Sequence, residues 1–244
     1  SGESRRKMAE HDIEEKIESL RQIQMEIGPC EVITGGRDKK RFLLYQLELS
    51  MLKAERIDMI VSFLMESGVR MILDDLEQAL NRGVKIRILT GNYLGITQPA
   101  LCLIKERLGD RVDLRFYNEK GRSFHPKAYI FRRKDFGEIY IGSSNVSRSA
   151  LTSGIEWNYH FDERRDSRNF HQFCGTFEEL FYNHSIVIND EVLKQYSKEW
   201  KRPAVIRDME RYDSLDDETD GEVVFQPKIW RDMMKNIILI LSLK

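Results

Sequence analysis

The 244-residue sequence is short of several things, and each shortage removes a class of protein. No apolar run reaches the ~18 residues that a membrane span needs, and no charged-then-apolar leader opens the chain, so a soluble protein of the cytoplasm is expected. The three cysteines, Cys30, Cys102 and Cys174, are odd in number and far apart. They lack zinc-site spacing and are expected to be idle thiols in a reducing compartment, with no metal and no cofactor. GGRDKK at 35–40 has the glycines of a phosphate loop without its GxxxxGK[ST] pattern. No zinc finger, helix-turn-helix or RNP-type aromatic strand is legible.

Charge is nearly balanced overall at −1, but it is segregated. Between Lys105 and Arg148 eleven Lys/Arg face six Asp/Glu, whereas between Val205 and Glu222 two face eight. The positive segment suits a polyanionic partner. A hydrophobic content of 41% and 244 residues suffice for a substantial core.

Hydrophobic periodicity divides the chain. Residues 1–9 read as a frayed terminus. Ile13, Ile17, Leu20, Ile23 and Ile27 mark an amphipathic helix within residues 1–30 that is expected to dock on its own domain. A second helix runs from a cap at Asp38 to about Ala54. RIDMIVSFL at 56–64 reads as a buried strand, residues 68–81 as a helix, VKIRILTG as a strand, Pro99–Leu108 as a helix and Val112–Asn118 as a strand. Strand, helix and strand with short connections predict βαβ units, an α/β class and a largely parallel sheet. Three further strands are expected at 124–131, 138–141 and 155–161. A helix over 166–182 places Phe170, Phe173, Phe177, Leu180 and Phe181 in a stripe, and another helix follows over 191–200. The main domain is expected to span 31–203, an acidic linker 204–222, and a new apolar pattern 223–244.

Polar residues that carry chemistry gather between Ser123 and Asn158. On a strand, His125 and Lys127 would share a face, suiting attack on phosphorus by an imidazole with an ammonium holding a non-bridging oxygen. Gly142, Ser143, Ser144 and Asn145 would lead into a helix whose first-turn N–H groups seat an anion. Alternation on IEWNYHF would place Glu156, Asn158 and His160 on one face and Ile155, Trp157, Tyr159 and Phe161 on the other. The bland alternatives are a satisfied histidine and a helix cap at Ser144 or Asn145.

FHPKAYIF followed by GSSN resembles the HxK and GSxN signature of the phospholipase D superfamily. SFLMESGV, LNRGVKIRILTGNYLGITQPAL and GIEWN extend the likeness across about Glu31–Tyr182, to nuclease domains found ahead of superfamily 2 helicases. The tail from FQP resembles the lead-in to such a helicase. The resemblance implies a mixed, largely parallel sheet with helices on both faces and a metal-independent nuclease acting through a phosphohistidine. His125, Lys127, Asn145 and Glu156 would be catalytic, and Ser143, Ser144, Arg132 and Arg148 would bind phosphate. It departs at position 132, where the family's aspartate is replaced by Arg132, and the lysine-to-glycine spacing is longer than the common form. Glu156 is then expected to support His125. The superfamily's site uses two HxK motifs and this chain carries one, so a homodimer is implied. Nucleic acid is the expected partner, with DNA favoured by the helicase likeness and the run Arg132–Arg133–Lys134 taken to lie beside the site. A nucleic-acid-binding module with lapsed catalysis and a phospholipase remain as other readings.

Overall fold

The computed structural model describes residues 11, 14–22, 32–36, 38, 41–91 and 97–199. The frayed terminus, Cys30, the acidic linker and the final apolar pattern lie outside these residues. One eight-stranded sheet is built from β1 (Val32–Ile33), β2 (Arg56–Val61), β3 (Lys85–Thr90), β4 (Val112–Tyr117), β5 (Lys127–Arg132), β6 (Gly137–Gly142), β7 (Asn158–Asp162) and β8 (Ser185–Val187). Their order is β1-β7-β6-β5-β2-β3-β4-β8. The six helices with full bounds are α1 (Leu43–Lys53), α2 (Glu66–Asn81), α3 (Gln98–Leu108), α4 (Arg148–Leu151), α5 (Ser167–Asn183) and α6 (Asp190–Glu199).

The sheet is mixed and clad by helices on both faces. Its parallel share is smaller than the βαβ reading implies, because only β2–β3 and β3–β4 are parallel pairs. β5, β6, β7 and β1 add in antiparallel register on one side, and β8 does so on the other. No long crossover helix separates β5, β6 and β7, so they return as antiparallel neighbours, whereas the 17-residue α5 carries the chain from β7 to β8 at the opposite edge.

Alternation along β2 divides the core. Ile57, Met59 and Val61 join one buried cluster with apolar residues of α1, α2 and α3, whereas Ile60 joins Phe170, Cys174, Phe177 and Phe181 of α5 on the opposite face. The expected aromatic stripe is therefore core, except that Phe173 stays exposed. Asp58 also points to the α5 face and would be costly there alone. Arg87 of β3 answers it with bonds of 2.6 and 2.8 Å. The same guanidinium bonds Glu178 at 2.6 and 3.0 Å and lies over the Phe177 and Phe181 rings. Burial works against the Arg87 charge, but its bonds to Asp58 and Glu178 outweigh burial and raise its pKa. This cluster fastens α5 to the sheet. Cys102 and Cys174 are free thiols whose pKa values burial raises.

Asp38 does not cap the second helix. That helix begins after Phe42, and the Asp38 carbonyl instead accepts from Arg41 N at 2.9 Å. The amphipathic segment is helical over 14–22 and docks on its own chain, with Leu20 buried. Lys16 Nζ lies 2.6 Å from Asp75 and 3.6 Å from Glu48. No helix among the described residues is long and apolar enough to cross a membrane.

Burial, with the charge of Asp75 second, pushes the Glu48 carboxyl up to about 7 against the pull of Lys16. The folded protein thus holds this proton more tightly than the unfolded chain does. Its stabilising contribution is complete below the ordinary carboxyl pKa and is lost as pH rises through about 7. Melting temperature is expected to fall as pH rises from about 5 to about 8, and Glu48→Gln to flatten that slope; thermal scans of both proteins across this range check it.

Candidate active site

Most of the residues singled out in the sequence lie toward one end of the sheet, where β2 ends, β5 begins and β6 ends. β5 is antiparallel to β2 with Lys127 opposite Val61. Ser62, the residue after Val61, therefore comes to lie beside Pro126. Its buried hydroxyl donates to the Pro126 carbonyl at 3.4 Å and accepts from Lys127 Nζ at 3.1 Å. Lys127 Nζ also donates to the His125 carbonyl at 2.8 Å. Burial lowers the Lys127 pKa, and the negative charge of Glu156 works the other way.

His125 does not share a strand with Lys127. β5 starts at Lys127, because Pro126 has no N–H to give the ladder, and His125 sits exposed in the preceding loop. That loop is pinned by Phe124, which is buried and stacked on Tyr117 with ring centroids 4.5 Å apart. Gly91 allows the approach: a Cβ there would sit 2.7 Å from the Ser62 carbonyl oxygen and 3.1 Å from the Phe124 ring. Ser62, Phe124 and Gly91 were missed in the sequence, although a serine closing the buried run RIDMIV was a visible signal.

The GSSN segment does not enter a helix. After β6 it runs extended beside residues 63–65, with a parallel bridge Leu64↔Val146 and Met65 N donating to Val146 O at 2.8 Å. The helix starts later, at Arg148, is four residues long, and is capped by Ser147, which accepts from Ala150 N at 3.2 Å. Neither the expected anion seat nor a cap at Ser144 or Asn145 is present.

Asn145 Oδ1 accepts from Phe63 N at 3.2 Å. A backbone N–H requires an acceptor, so this bond fixes the amide orientation and directs Nδ2 away from Phe63. Ser143 is exposed, accepts from Trp157 N at 3.0 Å and donates to Glu156. Ser144 is fully buried, so it cannot bind phosphate. Its hydroxyl accepts from Asn158 Nδ2 at 2.8 Å and donates to Ala150 O at 3.3 Å, and its carbonyl accepts from Tyr129 at 3.0 Å.

Glu156 lies in the loop before β7, which starts at Asn158. It therefore does not share a strand face with Asn158 and His160. Its hydrogen bond goes to Ser143, and its field reaches Lys127. Gly142 is required where β6 meets this loop, since a Cβ there would lie 2.0 Å from the Trp157 carbonyl oxygen. Arg132 and its neighbours are not beside the site. They occupy the other end of β5, roughly 17 Å from Lys127 at ~3.3 Å per residue. Arg132 pairs with Glu163 at 3.3 Å and lies 4.7 Å over the Phe170 ring, while Arg133 bonds the buried Glu138 at 2.9 Å. Arg148 stands at the start of α4, half-buried, with its N–H donating to Ser67 Oγ at 3.4 Å. Besides Lys127, the cations nearest His125 in sequence are Lys120 and Arg122, both exposed in its own loop.

The assembled residues offer an exposed imidazole, a half-buried ammonium, an amide donor and a hydroxyl–carboxylate pair. Such a set can attack and hold a phosphoryl group.

A sequence model of the family described as cardiolipin synthase, PLD-like domain, matches residues 49–181, more than half of the chain. No curated protein matches. Among solved structures, phosphatidylserine synthase from Haemophilus influenzae Rd KW20 aligns with a TM-score of 0.53 at 13% identity, over 75% of this chain and 46% of that one. This chain thus spans less than half of that enzyme's length, and the likeness is one of fold. NucT from Helicobacter pylori aligns at a TM-score of 0.44 and 16% identity, over 60% of this chain and 91% of that one. Nuc from Salmonella typhimurium, a phospholipase D family member, aligns at 0.47 and 17%, over 59% and 90%.

The two serines are expected to separate on substitution. Asn158→Leu strips the buried Ser144 hydroxyl of a donor and should cost roughly 1–3 kcal/mol, whereas the exposed Ser143→Ala should stay within about 0.5 kcal/mol. Urea denaturation of the two variants measures the difference.

Proposed function

The chain belongs to the cardiolipin synthase, PLD-like domain family, and on that premise we propose that it hydrolyses phosphodiesters of nucleic acid at a site shared by two copies. The observation that carries this reading is the meeting of Lys127, Ser62, Asn145, Ser143 and Glu156 around the loop of His125. Neutral His125 attacks phosphorus; an N–P bond forms as the P–O bond to the leaving group breaks. The departing oxygen takes a proton from His125 of the partner subunit, and water then cleaves the phosphohistidine with the two histidines exchanging roles. Lys127 and Asn145 Nδ2 hold the non-bridging oxygens. Glu156 acts on Ser143 and on the Lys127 charge; Ser62 keeps Lys127 and the Pro126 carbonyl in place.

The count of the motif in these 244 residues supports a second copy. None of the other histidines, His11, His160, His171 and His184, has a lysine two positions on. We assign the general acid to His125 of the partner subunit. Nucleic acid as substrate is supported by Lys120 and Arg122 in the His125 loop and by Arg148 beyond Asn145. The lapsed-module reading rests on Arg132 in place of the family's aspartate; the position of Arg132 at the far end of β5 from Lys127 supports retained catalysis instead. DNA as the substrate and a helicase module after this domain remain part of the proposal through the resemblance alone.

Incubation with labelled plasmid, single-stranded DNA, RNA and phosphatidylcholine vesicles, each in EDTA, tests the reading. Cleavage of a nucleic acid is expected, falling by roughly 10³-fold or more in His125→Ala, with phosphate trapped on His125 of the wild type. Strict magnesium dependence, or turnover of the vesicles alone, would sink it.

A further inference from the structure

Among the described residues α5 is the only helix on its face of the sheet, and Tyr159 of β7 and Val32 of β1 stay exposed there. Val32, Tyr159 and Ile141 stand in register across β1, β7 and β6, so their side chains share a face. Tyr159, Phe161 and Phe173 follow one another at centroid separations of 5.6 and 6.3 Å. They wall an open trough of about 530 Å³ between β6, β7 and α5. Toward the site the chain before β7 carries two more exposed apolar residues, Trp157 and Ile155, 71% and 87% exposed. Trp157 N donates to the Ser143 hydroxyl and the Trp157 carbonyl accepts from Ser143 N, both at 3.0 Å. Exposed apolar residues thus follow one another from the loop bonded to Ser143 into β7 and across to β1. A contiguous apolar surface of this kind on a single chain marks an interface.

We propose that this strip, from Ile155 and Trp157 through Tyr159 to Val32, is the face on which a second copy of the chain docks, so that two sites meet. The inference rests on the two-copy site proposed above and names the surface that makes it. Charge chooses the occupant. The trough is lined by no lysine or arginine, and its rim carries Asp166 with Asn169 and Gln172. A phosphate backbone or an anionic bilayer would meet a carboxylate and no cation there. A neutral, aromatic surface of a second protein chain meets neither cost. Continuity with the site selects the copy: a partner seated at Trp157, which is bonded to Ser143, lies beside the site, and a twofold relation makes the strip self-complementary. Aromatic anchors such as Trp157 and Tyr159 are the residue types that dominate such contacts.

Sedimentation velocity of the wild type, Trp157→Glu, Ile155→Glu and a control, Val187→Glu on β8 at the opposite edge, tests this, with vesicle co-sedimentation and cleavage measured on the same samples. Trp157 and Ile155 are exposed side chains, so far-ultraviolet circular dichroism and the urea unfolding slope should match the wild type; two separate positions guard against one failing to fold. The wild type and the control are expected to be dimers, and the two strip variants to raise the dissociation constant about 100-fold or more and to lose cleavage together. Strip variants that remain dimers while the wild type cleaves would overturn the surface and leave the two-copy site standing. A wild type that is monomeric and active would overturn both. Strip-dependent dimers that cleave no substrate would support the surface and sink the catalytic reading. Vesicle binding by a monomeric wild type that Trp157→Glu abolishes would assign the strip to lipid and overturn the proposal.

Discussion

The site depends on one register, Lys127 opposite Val61 across β5 and β2. β2 is the first strand of the parallel β2–β3–β4 set, and β5 is laid against it in the opposite direction. The end of one strand therefore abuts the start of the other. Ser62 then meets Pro126 and Lys127, and the stretch after it, Phe63 to Met65, receives Asn145 and Val146. A slip of one residue would turn Lys127 to the α5 face and break all of these contacts together, because strand side chains alternate. The register is protected by the core: Ala128 and Ile130 must face α5, and Tyr129 and Phe131 must face α1 to α3.

The α5 face is held differently from the other. Three long helices cover the α1–α3 side with aliphatic residues, whereas α5 combines a buried aromatic stripe with the Asp58–Arg87–Glu178 cluster. A bidentate, stacked guanidinium is directional, so it fixes where α5 crosses the sheet as well as that it does so. That crossing point decides how much of β6 and β7 remains uncovered. The exposed strip beside the site is in this sense set by an ion pair on the far strands of the same face.

Most of the architecture was legible in the sequence because apolar period reports it directly: α2, β3, α3, β4 and α5 lie within a few residues of their expected places. Family, one HxK motif and the identity of the clustered residues were legible too. Strand ends were not. Period continues through His125 and through Ile155 to Trp157, but a strand exists only where a neighbour supplies hydrogen bonds. The β6–β7 ladder begins at the Gly142–Asn158 pair, and Pro126 gives none. His125 and Glu156 therefore moved from strands to loops. Ser144 was misread for a related reason. A serine in a glycine-rich motif looks available in one dimension, whereas its burial depends on Tyr129 and Asn158, residues 15 positions before it and 14 after. The two-residue β1 and three-residue β8 are too short to carry a period at all.

The β5–β6 hairpin closes at residues 133–136, at the end of the sheet remote from His125, while its open end supplies both Lys127 and Gly142. The number of residues between HxK and GSxN is thus a measure of hairpin length. Two ladders of equal length added at the closed end lengthen the interval and leave Lys127 and Gly142 where they were. The interval is free to drift among relatives as a surface loop does, and the departure at position 132 belongs to the same remote region. For chains of this kind, the two half-motifs identify the site, and the gap between them carries no information about it.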